Sequence, residues 1–250
     1  MKISIITTTY NSSRTVEETI KSVLSQSYFD LEFIIVDGGS TDGTLDIIDR
    51  YKSRFSRFSS EKDEGMYDAM NKGIKLATGD IIGILNSDDV YVNNDILNIV
   101  MEKFEETNAD CVWGDLEIVD KKDINKVVRS WKSGPYKEGS FQRGWHPPHP
   151  GFFVKKELYD RHGLFRTDML TWADYELQLR LLEKHKISSA YISQTLVRMR
   201  DGGKSNKSIW WQMKANFGCY KAFKINNLKV SLFFIFKKPL YKLWQFKRLF

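Results

Sequence analysis

Cysteine is scarce: Cys111 and Cys219 are the only two in 250 residues. They lie too far apart for metal-ligand spacing and are too few for a disulfide framework, which fits a reducing compartment. No apolar stretch reaches the roughly 18 residues that a membrane-spanning helix requires. Neither a GxGxxG turn nor a P-loop is present, so the usual dinucleotide and NTPase signatures are missing. Acidic residues almost vanish from the last fifth of the chain. Residues 200–250 hold 12 Lys and Arg against one Asp, a net of +11, which leaves −5 for residues 1–199. The remaining composition, 42% hydrophobic and 28% charged, is that of an ordinary globular protein. One domain with an appendage is the simplest reading. The first seven residues carry one charge and a short apolar run, so they read as a strand rather than a secretory leader. The expected location is therefore cytoplasmic, free or on the inner face of the membrane.

The chain is organised around residues 79–89. An apolar, β-branched run closed by Asn86-Ser87-Asp88-Asp89 reads as a buried strand whose end carries two adjacent carboxylates. Such a pair can seat Mg²⁺ or Mn²⁺, which favour oxygen ligands and leave positions open for substrate phosphates. It can equally be a solvated turn, because Asp, Asn and Ser favour turns. Three strand-to-helix units precede or include this stretch: residues 2–8 with apolar positions from Val16 to Leu24, residues 31–37 with Leu45 to Tyr51, and a shorter strand near 55–60 with a helix over 66–77. Each unit keeps its polar residues at the strand's C-terminal end. The pattern predicts an α/β fold with a mostly parallel central sheet flanked by helices. In such sheets ligands bind outside the carboxyl ends of the strands, where Tyr10, Asp37 and Asp88-Asp89 fall.

Four motifs in order, Thr7-Thr8-Thr9-Tyr10-Asn11, Asp37-Gly38-Gly39-Ser40-Thr41-Asp42-Gly43-Thr44, Gly65-Met66-Tyr67-Asp68-Ala69-Met70-Asn71-Lys72-Gly73 and Asn86-Ser87-Asp88-Asp89, resemble the inverting family 2 glycosyltransferases of GT-A fold. The resemblance covers residues 1 to about 200. It implies that Thr9 and Tyr10 line the nucleobase pocket, that Asp37 reads the base, that Asp88 reaches the sugar of the nucleotide, and that Asp89 holds the metal. Residue by residue, blander readings stand beside these: Tyr10 as an aromatic capping the sheet edge, and Asp37 as a turn residue before two glycines. In the third motif Tyr67, Met70 and Ile74 form a core stripe. Lys72, near the ligand edge, is a candidate for a diphosphate contact.

Further on, residues 116–129 suit an exposed hairpin and residues 131–144, rich in Gly, Ser, Pro and aromatics, a loop over the site. His149 resembles a family histidine, although Pro150 stands where Gln is expected. It is assigned to acceptor or phosphate contact. The Pro-rich backbone between His146 and His149 rules out a shared helical face. In Asp174-Tyr175-Glu176-Leu177, Asp174 marks the first turn of a helix, where a carboxylate ordinarily complements the dipole. The resemblance makes it the catalytic base, and Glu176 two positions on faces elsewhere. Residues 200–205 are similar to the family's Gly-Gly-x-Ser loop, with Lys204 available to the diphosphate.

The expected organisation is a GT-A catalytic domain over 1–205, with a nucleotide-sugar half (1–115) and an acceptor half (116–205), then a tail over 206–250. That tail interleaves aromatics with lysines and is interrupted by Pro239, a pattern of interfacial membrane anchors. Packing on the main domain is the alternative. Basic and aromatic residues also suit single-stranded nucleic acid, but no RNA-binding module accompanies them. The implied activity is transfer of a sugar from a nucleotide-diphosphate donor, favoured as a UDP-sugar, to a saccharide or lipid-linked acceptor, with Mn²⁺ or Mg²⁺ as cofactor. Two other classes remain at this stage. A sugar nucleotidyltransferase needs a basic Gly-rich loop near the N-terminus, which residues 7–13 lack, and a non-catalytic sugar-nucleotide-binding protein has no need of Asp88, Asp89 and Asp174 together.

Overall fold

A computed structural model describes residues 1–169, 171–202, 209–232 and 234, with backbone alone for 209–213. Alternation within the first strands decides the layering. In β1 (Ile3–Thr9) and β2 (Leu31–Asp37), Ile3, Ile5, Phe33 and Ile35 point to one face, and Ile6, Ile34 and Val36 to the other, all 2% exposed or less. Both faces are apolar, so both need a cover. The first face packs on α1 (Val16–Leu24) through Val16, Ile20 and Val23, and on α4 (Ile96–Thr107) through Ile96, Leu97, Val100 and Phe104. The second packs on α3 (Met66–Leu76) through Tyr67, Met70 and Ile74, on α5 (Glu157–His162) and on α6 (Ala173–Leu179).

The sheet runs in the order β3, β2, β1, β4, β8, β6, β9, β5, with β7 (Val127–Trp131) hydrogen-bonded to β6 (Cys111–Val119). β3 (Arg57–Ser60), β2, β1 and β4 (Ile81–Ile84) are mutually parallel. β6 is parallel to β9 (Ser189–Arg200), while β8 (Phe152–Lys155) and β5 (Asp89–Tyr91) run antiparallel to their neighbours. The sheet is thus parallel in its first half and mixed beyond. The expected hairpin over 116–129 is the β6–β7 pair, whose exposed members are Val127 and Val128.

At the N-terminal edge of the parallel half, Glu32 is 3% exposed and accepts from Ser4 Oγ (2.6 Å), the Thr78 amide (2.7 Å), Thr78 Oγ1 (2.8 Å) and Lys2 Nζ (3.3 Å). Burial alone pushes this carboxyl up, but the hydrogen bonds and the Lys2 charge outweigh it and hold it at about 2. One side chain thus ties β1, β2 and the approach to β4.

The tail does not stand apart from this core. Helix α7 (Ile209–Ile225) buries Cys219, Ala222 and Phe223 in the same cluster as α6. Asn226, just beyond it, donates from Nδ2 to Glu176 Oε1 at 2.9 Å. Gly218 lies flat on the Trp172 ring, with no room for a Cβ. The packing alternative is therefore realised for residues 214–226, and the line drawn at 206 does not part this helix from the body. Most of residues 233–250 lie outside the described residues. No helix among the described residues is long and apolar enough to cross a membrane.

Gly218→Ala must push α7 off Trp172, and overpacking of this kind costs roughly 1–3 kcal/mol in a chemical denaturation experiment. Unchanged stability would show that α7 does not dock there. Glu32→Gln is expected to destabilise the protein at neutral pH. Because the folded carboxyl titrates below its ordinary value, its contribution is full above about pH 4.5 and disappears as pH falls through about 2. The difference between wild type and Glu32→Gln should shrink over that window, and a constant difference would contradict the assignment.

Candidate active site

Register brings the polar strand ends together. Thr9 pairs with Asp37 across β1 and β2, so the two following loops leave the sheet side by side and are joined at the backbone. Asn11 N donates to Ser40 Oγ (2.8 Å), Ser12 N to Thr44 Oγ1 (2.8 Å), and Thr41 N to Asn11 Oδ1 (2.9 Å). Asn11 sits at φ 49°, a left-handed conformation that Asn tolerates better than most residues. This turn leaves Tyr10 64% exposed beside Gly38, while Thr9 is 4% exposed with its Oγ1 buried and unpartnered.

Asp37 is fully buried, and both its oxygens are engaged. Oδ2 accepts from the amides of Gly39 and Ser40 (3.0 Å each) and from Ser60 Oγ (2.7 Å), and Oδ1 accepts from Ser40 Oγ. This is the turn-residue geometry, in which the carboxylate folds the loop that follows β2. The carboxylate that does reach the edge beside Tyr10 is Asp63. A Cβ at position 38 would lie 3.0 Å from Asp63 Oδ2 and 3.4 Å from the Tyr10 ring. Lys72 is not open either. Its Nζ is held by Asp63 (2.6 Å), Glu61 (2.9 Å) and Asp68 (3.4 Å), hydrogen bonds that raise its pKa. A phosphate at Lys72 has to compete with these three carboxylates.

After β4 the chain turns through Asn86 to Asp88 and enters β5 at Asp89. Both backbone carbonyls of the acidic pair are pinned from a distance: Asp88 O accepts from Arg200 (2.8 Å) and Asp89 O from Thr19 Oγ1 (2.8 Å). Arg200 also pairs with Glu18 and is only 6% exposed, so this cation of the basic C-terminal stretch belongs to the site wall. Of the two carboxylates, Asp88 is partly exposed and Asp89 has no accessible surface. Asp89 Oδ2 accepts from Asn86 Nδ2 (2.9 Å), whereas Asp89 Oδ1 and Asn86 Oδ1 are buried without a partner. Burial and then the Asp88 charge drive the Asp89 carboxyl far above the usual carboxylate range, and burial raises Asp88 as well. Orphaned oxygens beside two crowded carboxylates are the donor set that suits a hard divalent cation. The residues therefore fit Mn²⁺ or Mg²⁺: Asp89 carries the orphaned carboxylate oxygen, and Asp88 is the more exposed of the two. Among the described residues there is no group of three or more Asp, Glu, His or Cys side chains that could hold a metal ion.

Asp174 is half-buried in the first turn of α6. Its Oδ1 accepts from Tyr67 OH at 3.1 Å, and its charge is felt by His149, whose pKa burial lowers. His149 Nε2 is buried without a partner, and its ring meets Phe165 edge-on at 5.7 Å. The structure thus brings His149 and Asp174 into one cluster. Glu176 is 1% exposed and bound by Arg180 and Asn226, a structural role that agrees with its expected orientation away from the site. The loop over 131–144 is anchored to β6, with the Ser133 amide donating to Asp115 (2.9 Å) and Trp113 Nε1 donating to Gly134 O (3.2 Å). Lys204 lies outside the described residues. Sequence reasoning missed the Tyr67 hydroxyl, Asp63 and Arg200, because each acts through a partner distant in the chain.

Residues 4–161 match the profile of glycosyl transferase family 2, and the chain belongs to that family. Among its relatives are an uncharacterized glycosyltransferase of Nostoc sp., 31% identical over 188 residues, covering 69% of this chain and 56% of the relative, and the PGL/p-HBAD biosynthesis glycosyltransferase of Mycobacterium bovis, 27% identical, covering 82% and 80%. The chain thus spans little more than half the length of the Nostoc relative. Among solved structures, S. aureus TarS 1–349 in complex with UDP superposes with a TM-score of 0.66 at 17% identity, covering 95% of this chain and 68% of that one. The mannosyltransferase PcManGT of Pyrobaculum calidifontis, in complex with GDP-Man and Mn²⁺, gives 0.66 at 20%, covering 99% and 70%. These structural likenesses confirm the α/β fold of GT-A type.

Asp89→Asn removes a buried carboxyl crowded against another. In chelator at neutral pH it is expected to raise the melting temperature by a few degrees, on the order of 2–4 °C per kcal/mol for a domain this size. Added Mn²⁺ with UDP should stabilise wild type and not the variant. A lower melting temperature for Asp89→Asn in chelator would show that the crowded pair is not a strain.

Proposed function

We propose that the chain is a metal-dependent inverting glycosyltransferase that moves a sugar from a nucleotide-diphosphate donor, a UDP-sugar by preference, to a hydroxyl of a saccharide or lipid-linked acceptor in surface glycan assembly. The observation that carries this reading is the pairing, at the carboxyl ends of the parallel strands, of an exposed aromatic (Tyr10) with an acidic pair whose Asp89 Oδ1 is buried and orphaned, together with a half-buried carboxylate (Asp174) tied to α3 through Tyr67. Relatives are consistent with it: one is named for PGL/p-HBAD biosynthesis, and solved neighbours were captured with UDP-GlcNAc and with GDP-Man and Mn²⁺.

In this reading Tyr10 stacks on the base, with Thr9 beneath it and Asp63 at its edge. Asp37 supports that pocket by holding the loop that forms it. Asp89, through its orphaned Oδ1, would hold the divalent cation, and Asp88 beside it would reach the sugar of the nucleotide. When bound, the cation neutralises charge on the diphosphate leaving group. Lys72, once displaced from its carboxylates, and Lys204 supply further cationic contacts to the diphosphate. Asp174 takes the proton of an acceptor hydroxyl as its oxygen attacks the anomeric carbon from the face opposite the diphosphate. The new C–O bond forms as the bond to the diphosphate breaks, so the anomeric centre inverts without a covalent enzyme intermediate. His149, with an unpartnered Nε2 beside Asp174, contacts the acceptor or the transferring group. The outer face of α7, with Phe217 61% exposed and Lys224 lying over Tyr220 at 5.6 Å, continues into the basic tail and faces an anionic membrane surface on the cytoplasmic side.

The test is calorimetric titration with UDP, GDP and dTDP, each with and without Mn²⁺. One nucleotide is expected to bind in a metal-dependent way, Asp89→Ala to abolish that dependence, and Asp174→Asn to keep the affinity while turnover falls roughly 10²-fold or more. No binding by any nucleotide would overturn the reading in favour of a non-catalytic role.

A further inference from the structure

Asp174 sits at the start of a seven-residue helix whose N-cap, Trp172, offers no side-chain hydrogen bond. Short polar residues usually fill that role. Here a side chain from 107 residues earlier in the chain reaches the position instead: Tyr67 OH donates to Asp174 Oδ1 at 3.1 Å, and the backbone amides of Ala173 and Asp174 face the same hydroxyl. A phenol has one donor and two acceptor sites, so a single hydroxyl can accept from the helix start and donate to the carboxylate. Burial, and then the Asp174 charge, push the Tyr67 pKa well up, so the hydroxyl keeps its proton.

The ring that carries this hydroxyl has little freedom. Tyr67 is 3% exposed and stacks on Phe165 at 5.6 Å with 19° between planes. Phe165 is fixed in turn by Asn71, one helical turn beyond Tyr67, which accepts from the Phe165 amide (3.0 Å) and donates to the Phe165 carbonyl (2.9 Å). The His149 ring also meets Phe165, in a T-shaped contact at 5.7 Å. Two residues of α3, Tyr67 and Asn71, therefore grip the segment leading into α6 and the carboxylate at its start. Among the described residues no hydrogen bond reaches Asp174 Oδ2.

We propose that Tyr67 is a positioning residue for Asp174: it fixes Oδ1 and so directs Oδ2 at the acceptor hydroxyl. This inference rests on Asp174 being the base. Tyr67→Phe preserves the ring, the stack on Phe165 and the apolar volume while removing the hydroxyl alone. A loosely held base loses the alignment that makes proton transfer effective, and misplacement on the ångström scale costs up to about 10²-fold.

The experiment is a double-mutant cycle of Tyr67→Phe and Asp174→Asn in the full chain. It reads nucleoside diphosphate release from UDP-GlcNAc, UDP-glucose and GDP-mannose with water as acceptor, alongside nucleotide affinity by calorimetry and the melting temperature. Tyr67→Phe is expected to lower kcat roughly 10- to 10²-fold, to leave donor KM and nucleotide affinity within about twofold, and to add nothing when Asp174 is already Asn, because both changes act on one group. Normal kcat in Tyr67→Phe with Asp174→Asn inactive would overturn the role of Tyr67 alone. A further loss in the double variant, or a fall in affinity and melting temperature that tracks kcat, would overturn it in favour of a structural contact. Normal turnover in Asp174→Asn, or no turnover of any donor by wild type, would instead remove the base assignment and this inference with it.

Discussion

Ile3 of β1 pairs with Leu31 on one side and Ile81 on the other, and from that register every position of the ligand edge follows. Counting along the strands, Thr9 comes level with Asp37, and β4 ends at Ile84, beneath the turn that carries Asp88. A slip of one residue would exchange the two buried faces of each strand, taking Ser4 away from Glu32 and onto the face that Ile3 and Ile5 fill. Glu32 guards against this at the opposite edge. Its carboxylate accepts from Ser4 on β1 and from Thr78 on the approach to β4, an arrangement that only the observed register satisfies. The polar cluster at one end of the strands thus fixes what gathers at the other.

Local pattern carried most of this. The alternation of Ile3, Ser4, Ile5 and Ile6, the stripe of Tyr67, Met70 and Ile74, and the turn residues after Asp37 each state their own element within a window of about ten residues. The ordered motifs added the edge on which Thr9, Tyr10, Asp37 and Asp88 sit. What stayed hidden was side-chain direction and long-range pairing. Sequence places Asp88 and Asp89 together without revealing that β5 begins at Asp89 and turns its carboxylate inward. It marks Asp37 and Lys72 as polar residues near the edge, yet both spend their hydrogen bonds on their own loops. Tyr67 reads as core, and its ring is core. Only its hydroxyl belongs to the site, and nothing within its own helix indicates the partner on α6.

Several polar atoms at this edge are buried without partners: Thr7 Oγ1, Thr9 Oγ1, Asn86 Oδ1, Asp89 Oδ1 and His149 Nε2. An isolated orphan of this kind costs about 1–3 kcal/mol, so a cluster is tolerated only where the surrounding fold is rigid. Asp88 and Asp89 show how the rigidity is arranged. Their carbonyls are fixed by Arg200 and Thr19, which leaves the carboxylates crowded and unable to relax apart. A cation or a polar ligand meets an environment whose reorganisation was completed on folding, and each orphan it satisfies returns free energy as affinity.

The same reasoning extends to the C-terminal segment. Helix α7 rests on Trp172 through Gly218, and Trp172 immediately precedes the helix that carries Asp174. A second strut runs from Asn226 to Glu176, and Glu176 holds Arg180, which itself donates to the carbonyls of His162, Gly163 and Leu164. Leu164 adjoins Phe165, the ring on which Tyr67 stacks. The basic, aromatic tail is thus joined to the Asp174 helix at both ends of that helix. A surface that engages the outer face of α7 has to transmit any displacement through Trp172 and Glu176, because close-packed interiors pass on small shifts instead of absorbing them. The position of Asp174 therefore depends on α6 and, through Trp172 and Glu176, on α7.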